Sequence, residues 1–140
     1  MNLDFFKETR LLDGGMGQEL LARGMVSLGD LWSASAVLDK NQHQLVVDTH
    51  LDFAKAGADV IVTNSFTTRR LRLRSSNQES HFEDANRAAG KIAQRVKQSY
   101  PKIKIAGSLP PQYDTYVADP RDVDEIIANF SEQAGLLAPF

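Results

Sequence analysis

Asp13-Gly14-Gly15-Met16-Gly17 sets a carboxylate among glycines directly after the apolar pair Leu11-Leu12. A carboxylate at a strand tip can hold an ammonium or a hydroxyl group. Glycines beside it let the backbone approach a ligand closely and offer amide donors. The same residues also read as a tight strand-to-helix turn in which Asp13 only caps the helix. The spacing is not the dinucleotide G-x-G-x-x-G, and the lysine of a phosphate loop is missing. A second polar group, Thr63-Asn64-Ser65, leaves the apolar run Val60-Ile61-Val62. Three neutral hydrogen-bonding side chains suit the orientation of a small polar molecule, and Asn64-Ser65 equally suits a turn. Ser108 and Pro110-Pro111 follow the next apolar run and can shape the same rim.

Two other groups carry less. Arg69, Arg70, Arg72 and Arg74 form the one dense basic patch, in a chain with 16 basic against 18 acidic residues. A net charge of −2 gives no general attraction to nucleic acid or anionic membrane. No aromatic residue for base stacking lies within the run. It reads as a solvated surface, with no nucleic-acid partner. His43, His50 and His81 lack the spacing of paired metal ligands and read as surface or helix-packing histidines. The chain has no cysteine, which excludes disulfides, thiolate zinc sites and cysteine nucleophiles built from these residues.

The elements that must position these groups follow from periodicity. Leu11-Leu12 reads as a short buried strand, and residues 18–23 as a short helix stopped by Gly24. Residues 25–39 read as a structured loop or broken helix. Asn41 is placed to cap a helix whose stripe is Leu45, Val46, Thr49, Phe53 and Ala56, with Gly57 as its stop. Residues 58–66 read as a strand buried on both faces. A helix over 83–98 shows Ala85, Ala88, Ala89, Ile92, Ala93 and Val96 on one side. Residues 103–109 form a third expected strand. The last helix opens with Asp119 as cap and Pro120 in its first turn, and its stripe is Val123, Ile126, Ile127, Phe130, Ala134 and Leu137.

Strand, helix, strand, helix, strand, helix is an α/β order. It implies parallel strands with right-handed crossovers, in an open sheet or in part of a (β/α)8 barrel. Ligands bind at the strand C-termini in both. At 140 residues the chain is one domain's worth of polypeptide. No secretory leader and no stretch near the ~18 apolar residues of a spanning helix is visible, so a cytoplasmic location without membrane contact is the expectation.

Several segments, in order, closely resemble the N-terminal half of homocysteine S-methyltransferases. They are Leu11-Leu12-Asp13-Gly14-Gly15-Met16-Gly17-Gln18-Glu19-Leu20, then Leu31-Trp32-Ser33-Ala34, and the run from Ala56 to Phe66. Phe82-Glu83-Asp84-Ala85-Asn86-Arg87 and Ala106-Gly107-Ser108-Leu109-Pro110-Pro111-Gln112-Tyr113 continue the match. The resemblance implies a (β/α)8 barrel in which zinc, held by cysteine thiolates, binds homocysteine as its thiolate. That thiolate attacks the methyl group of S-methylmethionine, S-adenosylmethionine or betaine and gives methionine. Zinc would lower the thiol pKa so that the nucleophile exists at neutral pH. The resemblance assigns the amino-acid end of homocysteine to Asp13, Gly14, Gly15 and Thr63, with Asn64 and Ser65 beside them.

The departures are specific. The family's Asn-Cys and Gly-Gly-Cys-Cys segments have no counterpart, so this chain supplies no catalytic residue and no ligand to zinc. A barrel of this kind takes about 250 residues, and the expected elements reach only its third βα unit. Leu109-Pro110-Pro111-Gln112-Tyr113 stands where a Gly-Pro-Tyr version is more usual. Residues 1–140 are therefore expected to be the N-terminal portion of a homocysteine-binding domain, truncated or a fragment. It would hold the substrate cradle without the metal and associate through exposed strand edges. The alternative is a non-catalytic remnant or partner-binding fragment of that fold.

Overall fold

The computed structural model describes residues 3–140. Two strands, β1 (Val60–Val62) and β2 (Lys104–Ala106), pair in parallel with Val60 opposite Lys104 and Val62 opposite Ala106. Parallel neighbours need a long crossover. Here it is filled by α4 (Arg70–Ser75) and α5 (Phe82–Ser99). The expected first strand is reduced to one parallel bridge from Leu12 to Val60. Asp13 N donates to Val60 O at 2.9 Å, but the next amide of β1, Val62 N, goes to the Asp13 side chain and the ladder ends. Leu11 and Leu12, expected to be buried, are 59% and 64% exposed. The three-strand reading thus becomes two strands and a bridge. Both strands are shorter than the apolar runs that announced them.

The helices follow the sequence more closely. α1 (Met16–Ala22) begins two residues before the expected start, and Gly24 ends it at φ +88°. The broken-helix reading of 25–39 is met by a 3-10 turn over Gly29–Ala34, interrupted at Trp32 (φ 46°, ψ −128°), that leads into α2 (Ser35–Leu38). Asn41 does not cap α3 (His43–Lys55). Asp39 instead accepts from Asn41 N at 2.9 Å, capping a 3-10 turn just before the helix. Val46, Val47, Thr49, His50 and Ala54 are its buried residues, Phe53 is half-buried and Ala56 is exposed. α5 buries Ala85, Ala89, Ile92, Ala93 and Val96, as its spacing predicts. The main core joins these faces to Leu20, Met25, Ile61 and Ile103. Full burial of a side chain such as Ile61 stabilises by about 1.5–3 kcal/mol.

α6 (Val123–Leu137) corrects two expectations. Its cap is Asp122, which accepts from Asp124 N at 2.8 Å, whereas Asp119 is held by Arg121 and Pro120 precedes the helix. Its buried residues are Gln133, Leu136 and Leu137, while Val123 and Ile127 of the expected stripe are 66% and 57% exposed. The helix docks through polar Gln133, and the apolar residues near its start meet water. Exposed Leu12, Leu109, Val123 and Ile127, together with unpaired strand edges, favour self-association. Sedimentation velocity of the purified chain is expected to show species larger than one chain, growing with concentration. A single monomer at every concentration would contradict this.

Candidate functional site

The polar residues that follow β1 and precede α1 meet over one cavity of about 550 Å³. Asp13, Gly14, Gly15 and Thr63 all line it, together with Asn64, Ser108, Trp32 and Arg69. This convergence follows from the parallel arrangement: each chain segment arrives in the same direction, so the residues just past each strand end share one rim.

The Asp13 side chain is only 3% exposed. Its Oδ2 accepts from Val62 N at 3.0 Å, which ties the carboxylate to the strand beside it. His50 approaches from α3, with Nδ1 at 3.4 Å from the same oxygen. That distance is long for a hydrogen bond, and neither ring nitrogen has a hydrogen-bond partner. His50 is fully buried. It packs within its helix as one sequence reading held, but it is not a surface residue and it faces Asp13. The relation was not visible in the sequence, because only the packing of α3 under the strand ends creates it. His50→Phe keeps a buried aromatic ring and removes both ring nitrogens. Because neither nitrogen is hydrogen-bonded, affinity for L-homocysteine in calorimetric titration is expected to change less than about 3-fold, and a loss above about 10-fold would show that His50 holds the Asp13 carboxylate for its ligand.

Thr63 is buried, and its hydroxyl has a defined direction. Ser65 Oγ donates to Ser108 O at 2.9 Å, so the 2.8 Å contact between Thr63 and Ser65 is donated by Thr63. Thr63 Oγ1 also accepts from Ser108 N at 3.0 Å. What remains is one lone pair, so Thr63 can accept from a ligand but cannot donate to one. Asn64 Nδ2 donates to Ser33 O at 2.9 Å, joining the rim to the Trp32 loop.

The glycines divide by role. A Cβ on Gly14 would lie 2.7 Å from Phe53 Cε1, and one on Gly17 would lie 2.5 Å from Trp32 Nε1. Neighbouring aromatic rings occupy the room that those two glycines leave. Of these three, Gly15 alone has nothing within 4 Å of that position. Trp32 itself holds a positive φ, a conformation costly for a bulky residue and concentrated at functional sites.

The arginine run is mostly tied down. Arg70 pairs with Glu132, Arg74 Nε donates to Glu79 at 2.7 Å, and Arg72 donates to the Asp30 carbonyl. Arg69 departs from the solvated reading. It is 3% exposed and lines the cavity. Burial holds its guanidinium below the ordinary arginine range, with Asp114 opposing the shift and Arg72 adding to it. Among the described residues no group of three or more His, Asp or Glu is placed to hold a metal ion, and the sequence has no cysteine. The residues present do not fit a zinc ion.

Parallel strands with a carboxylate and neutral oxygens at their C-terminal ends, around one cavity, define an α/β protein with a site for a small polar molecule. The sequence profile of the Homocysteine S-methyltransferase family matches residues 10–139. The chain belongs to that family. It is 30% identical over 117 residues to the homocysteine S-methyltransferase of Escherichia coli K12, covering 78% of this chain and 37% of that protein. It is 32% identical over 126 residues to the S-methylmethionine–homocysteine S-methyltransferase of Rattus norvegicus, covering 90% and 32%. The crystal structure of the Escherichia coli homocysteine methyltransferase in metallated form superposes with a TM-score of 0.79 at 25% identity, covering 99% of this chain and 53% of that one. The chain spans about a third of the length of the curated relatives it matches. No helix among the described residues is long and apolar enough to cross a membrane.

Proposed function

We propose that this chain supplies the amino-acid-binding part of a homocysteine S-methyltransferase. Residues 3–140, with two strands and a bridge, correspond to the N-terminal three βα units of a (β/α)8 barrel and to the N-terminal portion of its homocysteine-binding domain. Asp13 takes the ammonium of homocysteine, and Thr63, able only to accept, takes a second hydrogen from the same group. The backbone at Gly14 and Gly15 closes the near side. In the complete family fold, zinc would acidify the thiol of homocysteine, and a donor such as S-methylmethionine, S-adenosylmethionine or betaine would supply the methyl group. The observation that carries the reading is the meeting of Asp13, Gly14, Gly15 and Thr63 on one cavity, in a chain of this family.

Calorimetric titration of the 140-residue chain with L-homocysteine tests it. Saturable binding is expected, with strong loss for 4-mercaptobutyrate, which lacks the ammonium. Equal binding of the two, or none of either, sinks the proposal. A second reading, a non-catalytic fragment that binds a protein partner, draws on the exposed Val123 and Ile127 of α6. A stable complex with another polypeptide, formed without any homocysteine binding, would favour it.

A further inference from the structure

Arg69 stands apart from the other arginines of its run. A guanidinium carries five N–H donors. Here Nη2 reaches Asp114 Oδ1 at 3.3 Å, a long contact to a carboxylate that is itself 58% exposed. Nε is buried with no acceptor at all. Buried polar groups are almost always paired, and a charged one left short of partners is strongly disfavoured. Arg70 and Arg74, which bind carboxylates beside them, show what satisfied members of the same run look like. Arg72, also on the cavity wall, is engaged by the Asp30 carbonyl. Arg69 is thus a buried, under-satisfied donor in the wall of a cavity.

The only other cationic side chain on that wall, Arg72, is already held by the Asp30 carbonyl. Asp13 is a carboxylate and Thr63 can only accept, so both recognise the cationic end of a ligand. An amino acid presents an anionic end as well. A guanidinium matches a carboxylate in shape and charge, through two parallel N–H bonds.

We propose that Arg69 binds the carboxylate of an amino-acid ligand in this cavity, an assignment that rests on the homocysteine reading above. That carboxylate has two sources, homocysteine itself or a carboxylate-bearing methyl donor, and the chemistry is the same for both. Arg69 is then a specificity-determining residue, selecting ligands that carry the carboxylate against analogues that do not.

The test compares the 140-residue chain with Arg69→Gln and Arg69→Lys. The ligands are L-homocysteine, 3-aminopropane-1-thiol, and, with homocysteine saturating, betaine and choline. The thiol and choline lack the carboxylate. Arg69→Gln is expected to weaken at least one carboxylate ligand about 10- to 100-fold and to leave its carboxylate-free analogue unchanged. Arg69→Lys falls between, because it keeps the charge and loses the fork. If Arg69→Gln does not fold, Arg69→Lys carries the same comparison. Loss confined to L-homocysteine names it as the source, and loss confined to betaine names the donor. Unchanged binding of both, or equal loss of a ligand and its analogue, overturns the proposal. Absence of homocysteine binding by the parent chain overturns the underlying reading and this assignment with it. Binding by the parent chain with no carboxylate discrimination overturns this assignment alone.

Discussion

Asp13→Asn is expected to weaken L-homocysteine binding by at least 30-fold while leaving the chain folded. The carboxylate is nearly sealed from water, and one of its oxygens is engaged by Val62 N at 3.0 Å and approached by His50. An ionised carboxylate offers about four acceptor positions, so capacity remains for an ammonium. Removing one partner of a buried, hydrogen-bonded charge pair costs about 2–5 kcal/mol, and 1.4 kcal/mol is about tenfold in affinity. Asparagine keeps the shape and an oxygen for Val62 N, so the urea midpoint is expected to stay close to that of the parent. Titration with L-homocysteine and with 4-mercaptobutyrate separates the two effects. Only the ligand with the ammonium should lose affinity, and equal losses would point to a general collapse of the cavity.

Asn86→Leu is expected to lower stability by about 3–5 kcal/mol. Asn86 is fully buried in α5 and ties that helix to the segment after β1 and to α6. Its Nδ2 donates to Phe82 O at 2.8 Å and to Thr68 O at 3.2 Å. Its Oδ1 accepts from Thr68 Oγ1 at 2.8 Å and from Gln133 Nε2 at 3.0 Å. Gln133 in turn donates to Ser65 O at 3.0 Å and accepts from Gln112 Nε2 at 2.8 Å. Leucine has similar bulk but leaves these donors and acceptors buried without partners. A domain has only about 5–15 kcal/mol in total, so the change is large. Urea unfolding followed by circular dichroism reads it. A loss below about 1 kcal/mol would show that the network is not what fastens α6 to the strand ends.

These two residues differ in how far the sequence announced them. Asp13 and Thr63 stand at the ends of apolar runs, where a polar residue signals the rim of a parallel sheet. α5 was legible for a similar reason, since its alanines and Ile92 recur at helical spacing without interruption. Asn86 and Gln133 were not, because one polar residue within a helix carries no local mark of burial. His50 and Arg69 were hidden by the same gap: the first sits in a helix outside its expected apolar stripe and the second in a basic run. Only tertiary approach, to Asp13 and to the cavity wall, distinguishes them from their neighbours. Asp119 and Asp122 were interchangeable as caps in the sequence. Arg121, which binds both Asp119 oxygens, decides between them. The first strand is only a bridge because carboxylates take the amides on either side of it: Asp59 accepts from Leu11 N and Asp13 from Val62 N.

The most direct test of the cradle is a two-dimensional amide spectrum of the isotope-labelled chain titrated with L-homocysteine. Saturable shifts are expected at the amides of Asp13, Gly14, Gly15, Thr63 and Ser108, with the His50 ring responding in parallel. Shifts confined to other parts of the chain, or a spectrum unchanged at saturating ligand, would contradict the assignment.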